Sequence, residues 1–215
     1  MKILSHRGYW KTPAEKNALS AFERSFSLNF GTETDLRDHR GQVVISHDMP
    51  GNDDVMDLET FFSLLPNSND HLPLALNIKA DGLASLIKPL LHQRNIKNYF
   101  FFDMSIPDML SYLKNDLRVF SRVSEYEPIP AFYNKVAGIW LDAFEDIWYS
   151  SELIHHFLAS KKEVCLVSPE LHGRDHLTLW TILKNAELHQ EINLMLCTDF
   201  PEEAEIFFDS EAVND

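Results

Sequence analysis

Residues 74–123 read LALNIKADGLASLIKPLLHQRNIKNYFFFDMSIPDMLSYLKNDLRVFSRV. Three short apolar runs, 74–78, 99–103 and 119–123, are separated by two stretches with apolar residues at helical spacing, 82–93 and 107–114. This is strand, helix, strand, helix, strand, and it extends in both directions. Upstream lie strand candidates at 3–6 and 32–36 with a helix over 15–28 between them. Downstream, strands are expected at 139–142, 164–167 and 194–199, and helices at 152–161, 176–188 and 202–208. Shorter helices are expected at 58–65 and 130–136, and an extra strand at 42–47 follows a turn at His39-Arg40-Gly41. Eight alternating units predict an α/β fold, a (β/α)8 TIM barrel forming one domain over 1–215, with a doubly wound open sheet as the alternative.

Composition narrows the function. A chain of 215 residues with 45% hydrophobic content is sized for one core. Its net charge of −14, from 33 acidic and 19 basic residues, repels polyanions, so no nucleic-acid partner is expected. Met1 to Leu4 lead straight into Ser5 and His6, which leaves no apolar secretory segment, and no apolar run approaches the ~20 residues of a membrane span. A cytoplasmic protein without membrane insertion is expected. Cys165 and Cys197 sit within apolar runs and read as small buried hydrophobes rather than a disulfide.

Chemically capable side chains fall at the C-terminal end of almost every expected strand: His6, Glu33 with Asp35, Asn77 with Lys79, Asp103, Glu125, Asp142, Glu170 and Asp199. A barrel gathers such positions on the one rim where barrel enzymes keep their sites. A strand-end carboxylate also caps the following helix, and that is the expected role of Asp199, which precedes Pro201-Glu202-Glu203. Glu33 and Asp35 are two apart on a strand and project from one face. Held that close they repel unless a cation lies between them, and paired oxygen ligands suit a hard divalent metal, Mg2+ or Ca2+. His6 ends the first strand and His47 the extra one, so both come beside the pair. Arg7 offers a planar fork for phosphate and Gly8 lets the backbone approach it.

His6-Arg7-Gly8, then Asn17 with Leu19-Ser20-Ala21-Phe22, then Gly31, Glu33, Asp35 and Arg37, then Ser46-His47-Asp48, resemble the glycerophosphodiester phosphodiesterase family in order and spacing. Thr198-Asp199-Phe200-Pro201 is similar to that family's last strand. The resemblance implies a small-molecule phosphodiester substrate and a divalent metal cofactor on Glu33 and Asp35. His6 and His47 would be the acid–base pair, and Arg7 and Lys79 the phosphate clamp. The family's usual third metal-binding glutamate is replaced by Asn77, a neutral carbonyl donor, for which Asp103 or Glu125 would compensate. The subdomain many members insert after the His-Asp strand is missing. Among rim loops, Glu170 is expected to touch substrate, and with it His172 and Arg174; Trp140 is expected either to stack on a glycerol or sugar group or to lie in the core. Two other readings stand beside hydrolysis: a phospho-ligand-binding barrel impaired in catalysis, and a metal-dependent sugar isomerase.

Overall fold

The computed structural model describes residues 1–51, 54–66 and 71–210. Its strands are β1 (Lys2–His6), β2 (Gly31–His39), β3 (Gln42–Ile45), β4 (Leu74–Ile78), β5 (Tyr99–Phe102), β6 (Phe120–Val123), β7 (Gly138–Leu141), β8 (Glu163–Val167) and β9 (Leu194–Thr198). Its helices are α1 (Leu19–Ser27), α2 (Leu58–Ser63), α3 (Ala84–Gln93), α4 (Ile106–Lys114), α5 (Ser151–Ala159), α6 (Leu177–Asn185) and α7 (Pro201–Asp209).

All strands but one pair in parallel, in the order β5-β4-β2-β1-β9-β8-β7-β6, and β3 folds back antiparallel on β2. The two ends of this ladder meet. Phe101 bridges to Val119, and its N–H donates to the Arg118 carbonyl at 2.8 Å. The sheet therefore curls into a nearly closed (β/α)8 barrel rather than remaining open, which leaves its edges covered.

Side-chain period two sorts each strand into an outward set beneath the helices and an inward set. Leu4, Ala75, Phe100, Phe102, Phe120, Trp140, Cys165, Val167, Met195 and Cys197 form the inward apolar plug. Phe100 stacks on Phe120 and Phe102 on Trp140, each pair with centroids 3.8 Å apart. Gly138 makes room for this packing: a Cβ there would lie 2.5 Å from both the Phe120 ring and the Glu163 carbonyl oxygen. Two further steps along the same inward faces lead from Leu4 to His6, Ala75 to Asn77, Phe120 to Arg122, Trp140 to Asp142 and Cys197 to Asp199. The apolar plug thus gives way to a polar layer at the C-terminal rim.

Two helix expectations are corrected, and the two alternatives for Trp140 are decided. The helix expected over 15–28 begins only at Leu19, after a 3-10 turn at Pro13–Glu15, because Asn17 takes a left-handed conformation (φ +60°) and its N–H donates to the Arg7 carbonyl at 2.8 Å. The stretch 130–136 forms turns around Phe132 (φ +49°) instead of a helix, so β6 connects to β7 without one. Trp140 is 4% exposed in the plug, and it stacks on Phe102 rather than walling the rim. Among the described residues no helix is long and apolar enough to cross a membrane.

Candidate active site

Parallel pairing of β1 with both β2 and β9 sets Glu33 beside His6 and brings the end of the last strand to the first. There Nδ1 of His6 lies 2.7 Å from Asp199 Oδ1. A carboxylate only accepts, so Nδ1 carries the proton and Nε2 is left as the exchanging atom, 4.0 Å from Glu33 Oε2. Burial lowers the His6 pKa, against the opposing pull of Asp199. Asp199 is fixed in turn by Glu170, whose Oε1 accepts from the Asp199 N–H at 3.1 Å and from the Thr198 hydroxyl. The expected capping role of Asp199 is therefore wrong: α7 has no side-chain cap, and the carboxylate is turned to His6 instead. Glu170, expected to touch substrate, holds the end of β9.

Glu33 and Asp35 are buried side by side on β2. Burial, reinforced by the charge of Asp35, pushes the Glu33 pKa up to about 8. Asp35 is surrounded by cations and amides. Arg7 Nε lies 2.9 Å from its Oδ2, Lys79 Nζ 3.4 Å from its Oδ1, and Asn17 Nδ2 donates to Oδ2 at 2.9 Å. The Arg7 backbone N–H donates to Glu33 Oε2 at 3.2 Å, in a left-handed turn (Arg7 φ +57°, Gly8 φ +79°). A Cβ on Gly8 would meet Ala21 at 2.8 Å, so glycine is required where this loop crosses α1.

Asn77 is the register partner of Asp35 on the next strand. Its Nδ2 donates to Asp103 Oδ2 at 3.1 Å, while its Oδ1 is buried without a hydrogen-bond partner among the described residues. An orphaned amide oxygen beside two buried carboxylates, one with a raised pKa, is a donor set that fits a hard divalent cation. Among the described residues no three His, Cys, Asp or Glu side chains are spaced to hold a metal.

His47 stands farther out, its side chain 44% exposed, with Nδ1 2.8 Å from Asp48 Oδ1. It shares with Arg7 and Asn17 an open cleft of about 490 Å3 on the β3 side of the rim. The opposite half holds a second polar set. Arg122 binds Asp103 at 3.1 Å and also Glu127, and His172 Nε2 meets Asp142 Oδ1 at 2.7 Å. Arg174 donates to the Ala143 carbonyl. The fold thus gathers His6, Arg7, Glu33, Asp35, Asn77 and Lys79 tightly and keeps His47 at the edge. Arg122, unremarkable in sequence, emerges because Phe120 faces inward and Arg122 lies two residues beyond it.

A histidine, a carboxylate pair and cationic side chains thus form one layer at the C-terminal rim of a (β/α)8 barrel. Among solved structures, the chain is similar over 98% of its length to a glycerophosphodiester phosphodiesterase from Agrobacterium tumefaciens (15% identity, 100% of that chain, TM-score 0.71). It is similar over 98% to a phosphodiesterase from Oleispira antarctica in complex with the product sn-glycerol-3-phosphate (16% identity, 97% of that chain, TM-score 0.70). A glycerophosphoryl diester phosphodiesterase from Parabacteroides distasonis matches 99% of the chain (13% identity, 89% of that chain, TM-score 0.68). The chain has the glycerophosphodiester phosphodiesterase fold. No protein-family model and no curated protein matches the sequence.

Proposed function

We propose that this protein is a divalent-metal-dependent phosphodiesterase that hydrolyses small glycerophosphodiester-like substrates. The observation that carries this reading is the joining of two features on one rim: His6 held by Asp199, and the buried Glu33–Asp35 pair with the orphaned Asn77 oxygen. Glu33, Asp35 and Asn77 would hold Mg2+ or Ca2+, which when bound supplies polarisation of a phosphoryl oxygen and neutralises charge. Arg7 and Lys79, already beside Asp35, orient the remaining phosphoryl oxygens. His6, kept neutral by burial, accepts a proton at Nε2 from the attacking hydroxyl, and exposed His47 delivers one to the departing alkoxide. The phosphorus–oxygen bond to the alcohol breaks and the proton ends on that alcohol. The charge of −14 disfavours nucleic acid, and the free buried cysteines Cys165 and Cys197 fit a reducing, cytoplasmic setting.

Release of glycerol phosphate from glycerophosphoethanolamine tests the reading. Hydrolysis should need Mg2+ or Ca2+, stop in EDTA and be lost in His6→Ala and His47→Ala. Full activity in EDTA or in His47→Ala overturns it. Tight glycerol phosphate binding without turnover, with either metal in excess, would favour the impaired phospho-ligand-binding barrel instead.

A further inference from the structure

We propose that Asp103, itself held by Arg122, is a positioning residue for metal binding: it fixes the Asn77 amide so that its oxygen, and not its nitrogen, is offered to a divalent cation at Glu33 and Asp35. This rests on the metal-dependent reading of the rim, and it accounts for how a neutral side chain serves where a third carboxylate is expected.

A primary amide is two-faced. One end accepts and the other donates, and a half-turn about its last bond exchanges them with almost no change in shape. Turned the wrong way, Asn77 would present N–H groups to the side of its register partner Asp35 and take up lone pairs that a cation needs. The structure removes that freedom. An ionised carboxylate only accepts, and Asp103 Oδ2 takes the Asn77 Nδ2 at 3.1 Å. Asn77 is 6% exposed, and the atom left over is Oδ1, which has no hydrogen-bond partner among the described residues.

Asp103 is in turn held from behind. Its Oδ1 accepts from Arg122 Nη1 at 3.1 Å, and Arg122 Nε donates to Glu127. The backbone at Asp103 leaves β5 in the left-handed region (φ +66°), which few residues other than glycine enter and which Asp tolerates better than most. Both carboxylate oxygens are thus engaged by donors, one from Asn77 and one from Arg122. Asp103 therefore compensates for the missing glutamate indirectly, through Asn77, rather than as a replacement ligand. Its charge also acts through the hydrogen bond: an N–H donating to a carboxylate draws electron density toward the amide oxygen, which makes Asn77 Oδ1 a better donor to a hard cation. Arg122 and Asp103 are two residues of a chain that ends on the metal set, Glu127 to Arg122 to Asp103 to Asn77.

Calorimetric titration of the metal-free protein with Mg2+ and, separately, with Ca2+ tests this without substrate or turnover. Asp103→Ala should weaken binding of whichever metal binds by about 10- to 100-fold. Because Asp103 acts through Asn77, the double variant Asp103→Ala/Asn77→Ala should bind within about twofold of Asn77→Ala alone. If Asp103→Ala lowers the melting temperature of the metal-free protein, Asp103→Asn takes its place: it keeps the shape but has one amide oxygen for two donors, and should weaken binding by about tenfold. Metal affinity unchanged by the Asp103 substitution, or losses from Asp103 and Asn77 that multiply in the double variant, overturns the positioning role and leaves the proposed reaction standing. No binding of either metal by the unsubstituted protein overturns both. Metal binding with the expected coupling, but no hydrolysis of glycerophosphoethanolamine, overturns the reaction alone and supports the positioning role.

Discussion

His6 Nδ1 and Asp199 Oδ1 lie 2.7 Å apart across 193 residues of chain, joining the first strand of the barrel to the last. The carboxylate fixes the imidazole tautomer that leaves Nε2 open toward Glu33. Asp199→Asn keeps the shape and removes that preference. It should lower kcat by about 10^2- to 10^4-fold, with KM changed by about threefold or less and the melting temperature held. Steady-state kinetics on glycerophosphoethanolamine check it, and a kcat within threefold of the original would return Asp199 to a structural role.

Glu33 links pH to stability and, as a proposed ligand, to metal binding. With a usual carboxyl value of 4.5 and about 8 in the fold, Glu33 binds more protons folded than unfolded between those limits. Its contribution to folding stability is fully present below 4.5 and is lost as pH rises through 8, so the metal-free protein loses stability over that window. A divalent cation at Glu33 competes with that proton. The rise in melting temperature on adding Mg2+ or Ca2+ should therefore be larger at pH 8 than at pH 5.5, measured by differential scanning fluorimetry. Equal rises at both pH values would exclude Glu33 as a ligand.

The alternation seen in 74–123 was legible because parallel strands covered on both faces are written as short unbroken apolar runs, such as Tyr99–Phe102. Glu33 with Asp35 was legible through the two-residue period of a strand. Asp199 was not. Locally it precedes Phe200-Pro201-Glu202, which reads as a helix start, and its partner His6 becomes its neighbour only when β9 pairs with β1. For Trp140 the core alternative held and the rim alternative did not, for a reason of depth rather than direction. It shares an inward face with Asp142 but lies two residues below it, about 6.6 Å deeper along the strand, and strand stagger around a barrel is not written in any one segment. The missing helix at 130–136 reflects competition from turns in a stretch too short to sustain helical cooperativity.

Gly138 faces the interior where Phe120 crosses it. Gly138→Ala puts a methyl 2.5 Å from the Phe120 ring and from the Glu163 carbonyl oxygen, and the carbonyl belongs to the paired strand β8 and cannot swing aside. The substitution should cost about 1–3 kcal/mol, read as a lower urea midpoint. An unchanged midpoint would mean that the β7–β8 pairing spreads without penalty.

Trp140 separates packing from recognition. Its ring is 4% exposed, stacked 3.8 Å from Phe102 and 6.3 Å from Phe100, below the polar layer that His6, Asn77 and Asp142 begin. Trp140→Phe keeps an aromatic plug but removes part of the buried ring, so stability should fall by about 1–2 kcal/mol. Nothing that meets substrate is removed, so KM for glycerophosphoethanolamine should stay within about twofold, a change worth well under 1.4 kcal/mol. Urea denaturation and steady-state kinetics on the same preparation decide between plug and wall: a KM raised tenfold at unchanged stability would return Trp140 to the rim.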